Sequence, residues 1–329
     1  VSDPFTIIRR GVASTLANWP LLFVQFAELV ILVFVMIGGV IAAIAAVGLS
    51  IDWDAIRSVG SPGSNPEAIA EAAAEWFVTN AAAAAMIGLV VFLLFGVVSL
   101  IHSYFQAGVT GVFVAHERRG ETWSWREAWD RFSLQQVIDF ALSRGWRVFW
   151  VYNIVWGVAG LFLLVPLIVV LALVLLIGEN AAALVVACCG MLLVLLAGIV
   201  IAIIAGVWAQ VAITICVATP RSAVESSSSA GDLIRARAGA VVVVMLVFVA
   251  ASIGVSTVSS TMGLAFDSAA LLPGGDLLSL PLRLAFTFVS SLASSIIGLC
   301  LASCFAIIVH EGLPGPAGGN RADRNTPVG

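Results

Sequence analysis

Lysine is absent from the 329 residues, and charge of either sign is scarce, at 10% of the chain against 61% hydrophobic. Soluble domains carry about a quarter charged residues, so a soluble globular protein is excluded. A mean hydropathy of +1.11 places the chain in a membrane. All fifteen basic residues are arginine, which points to coding bias and to no mechanism. Cysteine is also sparse: Cys188, Cys189, Cys216, Cys300 and Cys304 all fall inside apolar runs, with no CxxC and no histidine at ligand spacing. That excludes a disulfide frame and a zinc site, and leaves them as small apolar packing residues. No G-x-S-x-G, P-loop, H-E-x-x-H or paired catalytic carboxylate is present, and the polar connections are too short for a soluble catalytic domain. Neither an enzyme nor a cofactor is expected, and nucleic acid is not expected as a partner.

What the chain has is long apolar runs, at 20–48, 82–114, 148–177, 181–217, 239–262 and 282–309. Each exceeds the roughly 20 residues that a bilayer requires. Gly178, Glu179 and Asn180 supply a tight polar turn between the third and fourth. The expected fold class is therefore all-α: a polytopic membrane helical bundle of six transmembrane helices in three hairpins, with interfacial amphipathic helices. Residues 1–312 form the membrane domain, and 313–329, which lack apolar periodicity, form a disordered tail. A twin arginine, Arg9-Arg10, precedes the first run, but that run is too long for a signal-peptide core of about 7 to 15 residues and carries no small-residue cleavage site.

Thirteen of the fifteen arginines lie in the N-terminal arm, the 116–147 and 221–237 linkers and the tail; the other connections hold Arg57 and Arg283 among eight acids. The positive-inside rule then puts both termini in the cytoplasm of a multi-pass cell-membrane protein. Trp19, Trp123, Trp125, Trp129, Trp146, Trp150 and Trp208 gather at the inner boundary as an aromatic belt. In the first outer loop, Asn65, Pro66 and Glu67 carry the signals of a helix start leading into the second span.

The plan recurs three times: a short surface segment, then a long hairpin. Asn18-Trp19 and Gly145-Trp146 mark corresponding entries, Gln106 and Thr110 match Gln210 and Thr214 at the exits, and His116-Glu117 recurs as His310-Glu311. Within the middle linker, Ser124 with Glu127 and Ser133 with Gln136 fit capping-box spacing. Leu134, Val137, Ile138, Ala141 and Leu142 then make one apolar face, predicting an interfacial helix over 134–142. At the N-terminus, Ile7, Ile8, Val12 and Leu16 predict a similar helix. Small residues recur every fourth position: Ser99, Ser103, Ala107 and Gly111; Gly198, Ala202 and Gly206; Ser252, Ser256 and Ser260; and Ser290, Ser294, Gly298, Ala302 and Ala306. Such ladders let helix backbones approach in lipid, so these four spans are the expected packed interior.

Glu28 is the sole acid well inside a span, and Gln25 lies one turn earlier. A carboxylate in lipid is costly and marks a functional candidate by default. With His102, Gln106 and Gln210 on neighbouring spans it forms a candidate intramembrane polar site. The competing reading is a protonated Glu28 that holds helices in register. The two His-Glu pairs have no further metal-ligand spacing and read as solvated interface residues.

The passages VFVAHERRGETWSWREAWDRF and VATPRSAVESSSSAGDLIRARAGAVVVV each carry a span into a short acid-bearing stretch and then a surface helix that re-enters the bilayer. In this they resemble the membrane domain found beside glycerophosphodiester phosphodiesterases and in its stand-alone bacterial relatives. The resemblance covers most of the chain and implies a multi-span membrane domain. The phosphodiesterase barrel and its metal-binding acids are missing, so no catalytic residue carries over. The expected function is accessory or structural, organising envelope lipid or a partner membrane protein. The alternative is a transporter or channel with Glu28 in its polar path.

Overall fold

The computed structural model describes residues 2–48, 81–120, 124–177, 181–270 and 275–313, and among these every regular element is an α-helix. In chain order they are α1 (Pro4–Ala17), α2 (Leu21–Gly48), α3 (Ala81–Arg119), α4 (Ala128–Arg131), α5 (Leu134–Ile177), α6 (Ala181–Ala218), α7 (Ala223–Ala236), α8 (Ala238–Ala270) and α9 (Gly275–Gly312). Six of them, α2, α3, α5, α6, α8 and α9, are long and apolar enough to cross a membrane. The chain is an all-α polytopic helical bundle, and it occupies the expected spans. The expected features at Asn65–Glu67, Trp123, Gly178–Asn180 and the 314–329 tail lie outside the described residues.

The helices differ from the expected spans mainly at their ends. Residues 134–147 contain no proline, and α5 runs from Leu134 through Gly145 and straight through the span, so the expected 134–142 segment is its first turns and no separate helix. Neither Pro166 in α5 nor Pro281 in α9 interrupts its helix. Neighbouring groups in a bilayer protein re-satisfy the backbone freed by proline. α3 continues past its apolar run to Arg119, with His116, Arg118 and Arg119 complementing its negative end. Gly120, at φ 62°, then takes the left-handed conformation that stops it. Of the two capping boxes expected in the linker, Ser133 Oγ accepts from Gln136 N at 3.3 Å, whereas α4 is a single turn without a side-chain cap.

A complete capping box occurs where the sequence reading placed none, at the start of α7. Glu225 N donates to Ser222 Oγ at 3.3 Å and Ser222 N donates to Glu225 Oε2 at 2.9 Å. The Ser222 backbone N–H, its hydroxyl and nearby Arg221 hold the Glu225 carboxyl below its ordinary value. A lowered value means that the carboxylate stabilises the cap above the ordinary glutamate range and ceases to do so as pH falls through the lowered value. Ser222→Ala should cost about 1 kcal/mol. In Glu225→Gln, thermal unfolding should depend less on pH across the carboxylate range than in the wild type, the remainder coming from other ion-paired carboxylates such as Glu311; an unchanged dependence would contradict the assignment.

The described residues divide into two compact units, one drawn from Val1–Val24 and Ser103–Gly329, the other from Gln25–His102. In the smaller unit α2 and α3 form a hairpin, with Gly39 seating the Leu94 side chain. In the larger unit α5 pairs with α6 and α8 with α9, while α6 also touches α9. The core of this unit sits at the C-terminal ends of α3, α6 and α9. Phe113, Ile213, Ile215, Leu299, Phe305, Ile307 and Ile308 are fully buried there. Away from it, apolar side chains such as Leu193, Ile253, Leu264 and Leu284 are exposed. In a bilayer this carries little penalty, because lipid tails are as apolar as leucine.

The short helices pack onto that core through small residues. α1 lies on α9 and α8, with Ile7, Gly11, Ser14 and Thr15 buried while Val12 and Leu16 are exposed. Of the apolar residues Ile7, Ile8, Val12 and Leu16 that predicted this helix, Ile7 enters the core, Ile8 is half-buried and Val12 and Leu16 are exposed. The first turns of α5 lie on α3, where Gly108 and Gly111 admit Val137 and Phe140, and Gly145 admits Tyr104. Leu134, Ile138 and Leu142 flank this contact and are exposed. α7 lies on α6 and α5, and Trp208 Nε1 donates to Ser227 O at 2.7 Å.

The small-residue ladders divide the same way. Ser103, Ala107 and Gly111 are buried, and Gly198, Ala202 and Gly206 are half-buried; Ser252, Ser256 and Ser260 are exposed, while the last ladder is exposed at Ser294 and Gly298 and buried at Ala302 and Ala306. In α8 the packing face is the neighbouring stripe, where Ser259 Oγ and Ser290 Oγ hydrogen-bond. Trp19 stacks on Trp129 at 5.7 Å, and its Nε1 donates to Trp125 O at 3.2 Å, fastening the middle linker to the start of α2.

Candidate functional site

Glu28 lies on α2, with 6% of its surface exposed. Its Oε1 is 2.5 Å from Nδ1 of His102 on α3. The apolar run that makes α2 a span leaves this carboxylate no aqueous partner, and the antiparallel hairpin brings the imidazole to it. One proton shared by the pair gives either carboxylate with imidazolium or carboxylic acid with imidazole. Both arrangements are net neutral, which removes most of the cost of burying charge.

The structure therefore joins two of the five expected site residues. Gln25 is half-buried one turn before Glu28. Gln106 and Gln210 belong to the larger unit, where Gln106 is half-buried and the Gln210 side-chain oxygen is buried without a hydrogen-bond partner. Gln210 contributes its backbone carbonyl to the Thr214 hydroxyl at 2.8 Å. Asn153 donates to Phe149 O on its own helix, also at 2.8 Å.

A second polar cluster, which the sequence reading missed, closes the core at the C-terminal ends of α3 and α9. Arg10 of α1 donates to Glu117 Oε2 at 2.8 Å and to Glu311 Oε1 at 2.7 Å. Glu311 also accepts from Ser2 N at 3.1 Å and Ser2 Oγ at 2.6 Å. Arg237, just past α7, reaches Glu311 Oε2 at 3.6 Å and caps the Glu311 carbonyl at 2.7 Å. The glutamates of the two His-Glu pairs are therefore ion-paired and are not merely solvated. Their histidines differ, His116 being buried and His310 exposed.

The end of α6 has no glutamate, and its last carbonyl and two carbonyls just beyond the helix meet arginines directly. Arg118 donates to Ala218 O, Arg144 to Thr219 O at 3.3 Å and Arg147 to Arg221 O at 3.3 Å. The last four carbonyls of a helix have no internal partner and carry its negative dipole end, so guanidinium groups both satisfy and neutralise them. The sequence signal was present in the recurring His-Glu exits and the arginines of the surface segments. Their pairing depended on which ends meet in space.

Among the described residues, no three His, Cys, Asp or Glu side chains converge as a metal site. No family model matches the chain, and no curated protein or solved structure matches it significantly.

Proposed function

We propose that the chain is an accessory membrane protein: a non-enzymatic, six-span scaffold that organises lipid or a partner membrane protein through its apolar arms. The observation that carries this reading is the placement of the core at one end of the larger unit while apolar side chains elsewhere remain exposed. A surface of that kind is complementary to lipid tails and to the apolar helices of other membrane proteins. The arginine asymmetry supports cytoplasmic termini, so that the arginine-carboxylate cluster faces the cytoplasm. The packing of α1 on α9, of the first α5 turns on α3 and of α7 on α6 supports three repeats. In each, a membrane-surface segment docks on the exit of the hairpin before it, counted cyclically. The likeness to the phosphodiesterase-associated membrane domain fits the same role.

Photo-cross-linking residues placed at exposed Phe34, Phe92, Leu193 and Leu284 test this in native membranes. The expected adducts are to lipid or to a second membrane protein. Adducts back onto the same chain at all four positions would mean that the arms pack on one another, and the reading would fall.

The buried Glu28 and His102 pair favours a second reading, in which it relays protons or a cation. A single acid with one histidine is also the minimum for a neutral structural lock, and transport paths generally use more ionisable groups per crossing.

A further inference from the structure

The C-terminal ends of α3, α6 and α9 surround a cavity of 560 Å³ that neither reading of the Glu28 pair uses. Val114, Ala306 and Val309 contribute to an apolar wall, while Arg118, Arg221 and His310 supply its basic groups. Among the described residues, no carboxylate lines it. The acids carried by these chain ends are committed elsewhere: Glu117 to Arg10, Glu311 to Ser2, Arg10 and Arg237, and Glu225 to the Ser222 cap.

The hydrogen-bond partners of the two lining arginines are neutral, although the Glu225 carboxylate also lies near Arg221. Arg118 donates to the Ala218 carbonyl and Arg221 Nη1 to Ser229 Oγ at 2.8 Å. A guanidinium has five N–H donors and keeps its charge, so each retains donor capacity beyond these bonds. The cavity is thus net positive on one side and apolar on the other. Planar donor forks match the tetrahedral oxyanions of phosphate groups. Its volume falls within the roughly 300 to 1,000 Å³ of small-molecule sites and exceeds what inorganic phosphate alone would fill.

We propose that this cavity is a binding site for a phosphate-bearing anion, either an anionic phospholipid headgroup or a soluble phosphate. The site stands independently of the accessory reading, since a transporter would possess the cavity equally.

The test uses the purified full-length chain in detergent micelles. Binding of phosphatidylglycerol and of phosphatidylcholine is followed by native mass spectrometry, and that of inorganic phosphate by calorimetry. Saturable binding of phosphatidylglycerol identifies the headgroup source, and saturable binding of inorganic phosphate identifies the soluble one. In either case Arg118→Gln and Arg221→Gln should each weaken it about tenfold or more, the scale of one charge-assisted hydrogen bond. Arg126→Gln should leave it unchanged, because Arg126 lies over the Trp125 ring and does not line the cavity. Should loss of the Ala218 carbonyl contact prevent Arg118→Gln from folding, Arg221→Gln and His310→Gln decide the matter, since neither removes that contact. Phosphatidylcholine binding as tightly as phosphatidylglycerol with no phosphate binding would overturn the proposal. So would affinity unchanged in both Arg221→Gln and His310→Gln, or no saturable binding of either anion.

Discussion

Replacing Glu311 with alanine should lower the stability of the detergent-solubilised protein by about 2 to 3 kcal/mol, more than the equivalent change at Glu117. Glu311 accepts from Ser2 and Arg10 and lies 3.6 Å from Arg237, whereas Glu117 has Arg10 at 2.8 Å. Removing the Glu311 carboxylate leaves the Arg237 side chain, which is 13% exposed, without its acid. Stranding a buried charge costs roughly 3 to 5 kcal/mol. The lower figure applies because the Arg10 side chain is 39% exposed and water screens it. Glu311→Gln should cost less, since an amide still accepts from Ser2. Thermal unfolding of the three variants settles the order. A Glu117→Ala loss equal to that of Glu311→Ala would show that the cluster does not centre on Glu311.

This cluster also shows where sequence reading stops. The six spans were legible because a bilayer selects for length and apolarity alone, both one-dimensional properties. The Glu28 and His102 pair was half legible: the lone acid within a span announces itself, and its partner had to lie on an adjacent helix. Arg10, Glu117, Arg237 and Glu311 are scattered from one end of the chain to the other. They meet because α1 packs on α9, a contact that no periodicity encodes. The serine ladder of α8 failed for a related reason. Every-fourth spacing defines a face, but in lipid nothing in composition says whether that face meets a helix or acyl chains. The 134–142 segment was read correctly as helical and wrongly as separate, because no proline divides it from the span and the helix continues through Gly145, where the missing side chain admits Tyr104.

Gly11→Ala should destabilise the protein by about 1 to 3 kcal/mol, the range for overpacking a close contact. A Cβ at Gly11 would lie 2.3 Å from Cys304 Sγ and 3.3 Å from the Cys304 backbone nitrogen. Both residues are buried, so the strain must move either the thiol or the whole of α1. If the thiol is the principal obstacle, Cys304→Ala in the Gly11→Ala background should recover most of the loss, although alone it should be mildly destabilising. A double-mutant cycle measured by thermal unfolding gives the coupling directly. Additive losses would contradict the α1 to α9 contact, and with it the docking of the N-terminal segment onto the last hairpin.

The accessory reading is tested most directly by proton and cation flux across liposomes containing the wild-type chain or Glu28→Gln. Glutamine preserves the shape and a hydrogen bond to His102 but has no proton to release at physiological pH. The account predicts that both proteins leave flux at the level of protein-free liposomes. Flux in the wild type that Glu28→Gln abolishes, with thermal stability unchanged, would contradict it and make the Glu28 and His102 pair the centre of a transport path.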